Sequence, residues 1–171
     1  MGPLLLLPAL LAPAPGKEAR MELRIPAFQN GAPVPRAHTA DGADHSPALQ
    51  WDDPPPGTTA FALIVDDPDA PAGTWVHWLL YDLPATARAL AEDQPRTADL
   101  TGGGRQGKNS WGRLGWNGPS PPPGKPHRYF FRLFALSAPL GLPSGATRSQ
   151  VDTAMKGKVL AEATWMGTYG R

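Results

Sequence analysis

With 171 residues, a net charge of +1 and no cysteine, the chain fits one domain with a hydrophobic core and excludes disulfides, thiolate catalysis and cysteine-held metal. No basic run offers the footprint of a nucleic-acid binder or a polybasic membrane anchor. The 19 Gly and 22 Pro make up roughly a quarter of the chain, against an average share of about 12%, which leaves little room for long helices.

Residues 1–20 read as a leader. The apolar run 4–14 ends in small residues as a signal segment does, but no Lys or Arg precedes it, and Pro3, Pro8 and Pro13 interrupt it. It is shorter than the ~20 apolar residues that cross a bilayer, so no transmembrane segment is expected. Met21 is the alternative start, with a single domain over 21–171. The expected location is cytoplasmic; the alternative is periplasmic or secreted, if residues 1–20 act as a signal peptide.

Alternation over 22–28 predicts an edge strand that tolerates Pro26, and Asn30-Gly31 a turn. Residues 39–51 form a loop delivering a short strand at 48–51. After the Pro-rich turn 52–57, the run 59–65 (TAFALIV) reads as a buried strand and 75–83 as the next. The Ala-rich run 89–100 predicts one or two helical turns ending before Pro95. Residues 101–118, dense in Gly, form a long loop, followed by the stiff segment 119–124 and a strand at 129–136. Thr147 caps a short helix over 147–155 that Gly157 ends, and 158–169 alternates as a closing strand. The fold class is mainly β: two antiparallel sheets, sandwich-like, with one or two short peripheral helices.

Two stretches share one grammar. In 66–78 (DDPDAPAGTWVHW) a proline-stiffened acidic turn precedes a strand carrying His77; in 118–129 (GPSPPPGKPHRY) another stiff turn delivers His127. If their strands are neighbours, Asp67 and both imidazoles converge at one end of a sheet, in a polar cavity suited to phosphate or carboxylate. The plainer roles are a core histidine bonded to a carbonyl for His77 and Asx-type turn capping for Asp67 and Asp69. His38 and His45 read as surface loop residues, Trp78 and Trp116 as neighbours of the pocket, and Arg128 as a structural ion-pair partner. No G-x-S-x-G, H-E-x-x-H, P-loop or dinucleotide motif occurs. No catalytic residue and no cofactor is therefore assigned.

These motifs resemble the phosphatidylethanolamine-binding proteins, also called Raf kinase inhibitor-like proteins, in their bacterial and archaeal branch. The likeness rests on Asp67-Pro68-Asp69-Ala70-Pro71, His77-Trp78, Gly118-Pro119-x-Pro121-Pro122-x-Gly124 and His127-Arg128-Tyr129, supported by Ser46-Pro47-x-Leu49-x-Trp51 and Gly167-x-Tyr169. It implies a large and a small antiparallel sheet, and an anion pocket for phosphate, a phosphoethanolamine headgroup or carboxylate. In that pocket Asp67, His77 and His127 form the lining, Asp69, Pro119, Pro121 and Tyr129 shape it, and Trp116 takes the place of a usual Tyr at its approach. It also implies a binding or regulatory role rather than catalysis, with a kinase or protease as a protein partner. A hydrolase using the His/Asp cluster, with or without metal, is the alternative; so is an inhibitor acting through protein interaction. Ala40 and Ser120 stand where bacterial relatives often carry Cys.

Overall fold

The computed structural model describes residues 20–171, so the leader expected over the first twenty residues lies almost wholly outside it. Nine regular elements follow one another: β1 (Glu22–Arg24), β2 (Leu49–Asp52), β3 (Ala60–Asp67), β4 (Trp75–Pro84), β5 (Ala89–Leu90), β6 (Arg105–Gln106), β7 (His127–Leu136), α1 (Arg148–Met155) and β8 (Val159–Tyr169), with a 3-10 turn at Arg36–His38. The large sheet runs β6-β4-β3-β7-β8 and the small one β1-β2-β5, every strand pair being antiparallel. The expected fold class holds. Among the described residues no helix is long and apolar enough to cross a membrane.

The sequence AFALIVDD makes β3 the central strand, because its β-branched and aromatic side chains are buried on both faces. Phe61, Leu63 and Val65 pack under the small sheet with Trp51, Trp78 and Phe131. Ala60, Ala62 and Ile64 face the other way, against Val151 and Met155 of α1. The helix begins as its sequence predicts: Thr147 accepts from the Gln150 backbone N–H, and the Gln150 side chain answers the Thr147 backbone N–H, a reciprocal capping box.

Three expectations are corrected. Over 89–100 no helix forms: Ala89–Leu90 pairs with β2, and the N–H groups of Asp93 and Gln94 bond to Ser46 rather than one turn back. Burying Leu90 beside the small sheet outweighs the helix preference of an Ala-rich run. β1 stops before Pro26, at the edge of its sheet. His38 is buried at 5% exposure, its Nδ1 bonded to the His45 carbonyl at 2.9 Å, while His45 is half-buried near Asp93.

Candidate functional site: a histidine and aspartate cavity at the end of the large sheet

At the C-terminal end of β3, alternation sends two successive aspartates to opposite faces. Asp66, 2% exposed, points toward α1, where Arg148 (2.9 Å) and Arg132 (3.4 Å) pair with it. Asp67, 3% exposed, lies on the face of the small sheet. Its Oδ1 accepts the Asp69 N–H at 2.8 Å, the Asx-type turn expected before Pro71, and its Oδ2 accepts His127 Nδ1–H at 2.7 Å. With each carboxylate oxygen holding a donor, the buried charge is tolerated.

His77 reaches the same place through a β-bulge. Val65 pairs with Trp78 and Asp66 with Val76, which leaves His77 without a partner on β3. The extra residue interrupts the alternation, so Trp75, His77 and Trp78 all serve the face of Asp67. The His77 ring donates Nδ1–H to the Asn117 carbonyl at 2.6 Å, and Asn117 N–H returns a bond to the His77 carbonyl at 3.1 Å. Trp111 and Tyr129 stand edge-on to the ring, at centroid distances of 5.1 and 5.2 Å. Burial pushes the His77 pKa below its ordinary value, against the opposing pull of the Asn117 carbonyl and the Asp67 carboxylate.

His127 and Tyr129 come from β7, which lies beside β3, so the two stiff turns of the sequence do meet. Together with Asp67 and His77 they line a cavity of about 360 Å³, completed by Trp75, Trp111, the 70–72 turn and the 120–122 segment. The Tyr129 hydroxyl is buried with no hydrogen-bond partner among the described residues, and burial drives its pKa up. The far wall is stapled by Arg171, which donates to the Pro121 carbonyl at 3.2 Å and to Ser120 Oγ at 3.1 Å while its guanidinium grips Asp41. That grip, with the Tyr169 hydroxyl, brings the Asp41 pKa down to about 2.

Of the residues singled out in the sequence, Asp67, His77, His127, Pro121 and Tyr129 meet in the cavity. Asp69 does not: it faces outward in a bidentate pair with Arg128, which holds its pKa at about 2, and it borders a shallow neighbouring hollow. Pro119 is buried behind the wall, its carbonyl taking the Ala40 N–H. Trp116 belongs to the core, 1% exposed and stacked on Phe131; Trp78 lies beside it, with its indole N–H on Gln106. The indoles at the cavity are Trp75 and Trp111 instead. Trp75 had a legible signal, since it precedes His77 by two in a strand. Trp111 lies within the Asn109–Gly112 stretch and was not singled out, because its place is set by Asn109, whose side-chain oxygen accepts the backbone N–H groups of Trp111 and Arg113.

Two antiparallel sheets with a His/Asp cavity at one end of the larger define a mainly β, sandwich-like fold. Residues 24–170 match the family model "Phosphatidylethanolamine-binding protein", and the chain belongs to that family. It is 50% identical over 155 residues to a UPF0098 protein of Aquifex aeolicus, covering 90% of each chain. Among solved structures it is similar to a phosphatidylethanolamine-binding protein homologue from Chlamydia trachomatis (36% identity, TM-score 0.82) and to Escherichia coli YbcL, described as a member of the mammalian family (32%, TM-score 0.83). In both cases the match covers 90% of this chain and 99% of the other.

Proposed function

We propose that the protein is a non-catalytic binding module for a small oxyacid group, of phosphate, phosphate monoester or carboxylate type. The observation that carries this reading is the convergence of two imidazoles, each oriented through Nδ1 by a fixed acceptor, on one cavity with the orphaned Tyr129 hydroxyl beside them. Buried polar atoms without partners mark where a ligand completes the hydrogen bonding. The Trp75 and Trp111 rings, 5.4 Å apart and edge to face, add an aromatic wall that suits the ammonium of a phosphoethanolamine headgroup.

The hydrolase alternative has less support. An oriented His127–Asp67 pair resembles a base and its orienter, but Ser120, the hydroxyl nucleophile that the described residues place at the cavity wall besides Tyr129, is bonded to Arg171 rather than to an imidazole. Among the described residues no three His, Asp or Glu side chains come together as a metal site.

A titration of phosphate and phosphoethanolamine, followed through the imidazole signals of His77 and His127 by NMR, tests the proposal. Both signals are expected to shift and saturate together. No movement of either at millimolar ligand would refute it.

A further inference from the structure

The His77 imidazole faces the cavity as an acceptor. The Asn117 carbonyl, 2.6 Å from His77 Nδ1, can only accept, so the ring's proton is fixed on Nδ1 and the Nε2 of the neutral ring is a lone-pair acceptor. The Asp67 carboxylate, 2.7 Å from His127 Nδ1, fixes the same tautomer there. Among the described residues no Lys or Arg lines the cavity. The guanidinium groups that border the walls are committed, Arg128 to Asp69 and Arg171 to Asp41.

Making His77 a donor would require a second proton on a ring 3% exposed. The ionisable groups that face this ring are Asp67 from β3, His127 and Tyr129 from β7, and Asp44 from the turn after the 3-10 segment. Burial still prevails over the two carboxylates, consistent with a neutral His77. A fully ionised anion would meet the bare His77 Nε2 lone pair here, which repels it, with the Tyr129 O–H as the unpartnered donor beside it.

We propose that the site takes an oxyacid in a form that still carries a proton, such as hydrogen phosphate or the monoanion of a phosphate monoester or phosphonate. In this complex His77 Nε2 accepts the ligand's O–H, and the proton stays on the ligand. The site therefore rejects permanent anions of the same shape, sulfates and sulfonates. This specificity rests on the binding role proposed above and adds the charge state of the ligand to it.

Methylphosphonate and methanesulfonate form the deciding pair. At mildly acid pH both are monoanions of nearly one shape, and only the phosphonate keeps an O–H. Calorimetry on the full chain is expected to show methylphosphonate binding at least about tenfold more tightly, the equivalent of one good buried hydrogen bond. As pH rises through the second phosphonate ionisation, its affinity falls by about tenfold per unit, one proton being linked to binding. Nitrogen-15 NMR should show His77 Nε2 unprotonated in the saturated complex. Replacing the ring by an amide that both donates and accepts, His77→Gln, should bring the two affinities together. Methanesulfonate binding within about threefold of methylphosphonate, or a protonated Nε2 in the wild-type complex, would overturn the selectivity while leaving oxyanion binding intact. If neither ligand moves an imidazole signal at millimolar concentration, both the selectivity and the binding role fall.

Discussion

Substituting alanine for Gly118 tests how the cavity's rear wall is held. Gly118 N–H donates to Asp44 Oδ1 at 2.8 Å, and a Cβ at this position would lie 2.5 Å from that oxygen and 2.5 Å from the His38 carbonyl oxygen. Neither neighbour can retreat freely. Arg96 ties the Asp44 carboxylate (3.0 Å) and carbonyl (2.9 Å) to the Trp116 carbonyl (2.8 Å), and His38 is buried. Overpacking costs about 1–3 kcal/mol, and weakening a hydrogen bond to a carboxylate adds about 1.5–3. Since Asp44 keeps its arginine, we expect a net loss of about 3 kcal/mol for Gly118→Ala, equivalent to a fall of about 6–12 °C in Tm for a domain of this size. The displaced backbone includes Asn117, so the His77 Nδ1–H signal should move as well. Urea unfolding and a thermal scan measure the loss. Gly102→Ala is the control: no atom lies within 4 Å of its Cβ and its φ is not positive, so its effect should stay within about 0.5 kcal/mol. A Gly118→Ala protein as stable as this control would refute the close-approach argument.

Acid should destabilise the fold through two kinds of group, a buried imidazole and two paired carboxylates. The folded His77 pKa lies below its unfolded value of 6.5, so the unfolded chain binds the extra proton first and stability falls as pH drops below 6.5. His77→Gln should flatten that limb of a urea-midpoint profile, while the fall between pH 3.8 and about 2 from Asp41 and Asp69 should survive it. Tyr129→Phe removes a buried hydroxyl without a partner, so unfolding should show unchanged or higher stability, by up to about 1 kcal/mol. The same variant should bind phosphate less tightly in a titration. Thr147→Ala removes the side-chain acceptor of the capping box on α1, leaving Gln150 on the backbone N–H, and should cost about 1 kcal/mol in denaturant unfolding, with the imidazole signals unmoved.

Much of the fold was legible because its signals are local. The unbroken apolar run before Asp66, the alternation of 158–169, the Thr147 cap and the proline-stiffened turns each act within a few residues, and each became the element expected. The pairing of two stiff turns with two histidines was also visible, because proline restricts the backbone whatever surrounds it. Where neighbours in space compete with neighbours in sequence, the local signal lost. Residues 89–100 gave up a helix to close the small sheet, and His38 was drawn inside under the Gly118 backbone.

The sequence by itself thus determined the class of fold, the strand that carries His77, the neighbouring strands that Asp67 and His127 turned out to extend, and the two turns that frame them. Tertiary structure alone decided how those groups are used. The bulge that sets His77 beside Asp67 is a property of the β3–β4 register, which no single strand encodes. The choice of Trp75 and Trp111 over Trp78 and Trp116 follows from that bulge and from Asn109 folding its loop. The tautomers of both imidazoles depend on acceptors 40 and 60 residues away in the chain, brought within hydrogen-bond distance only when β3, β4, β7 and the 109–118 loop assemble.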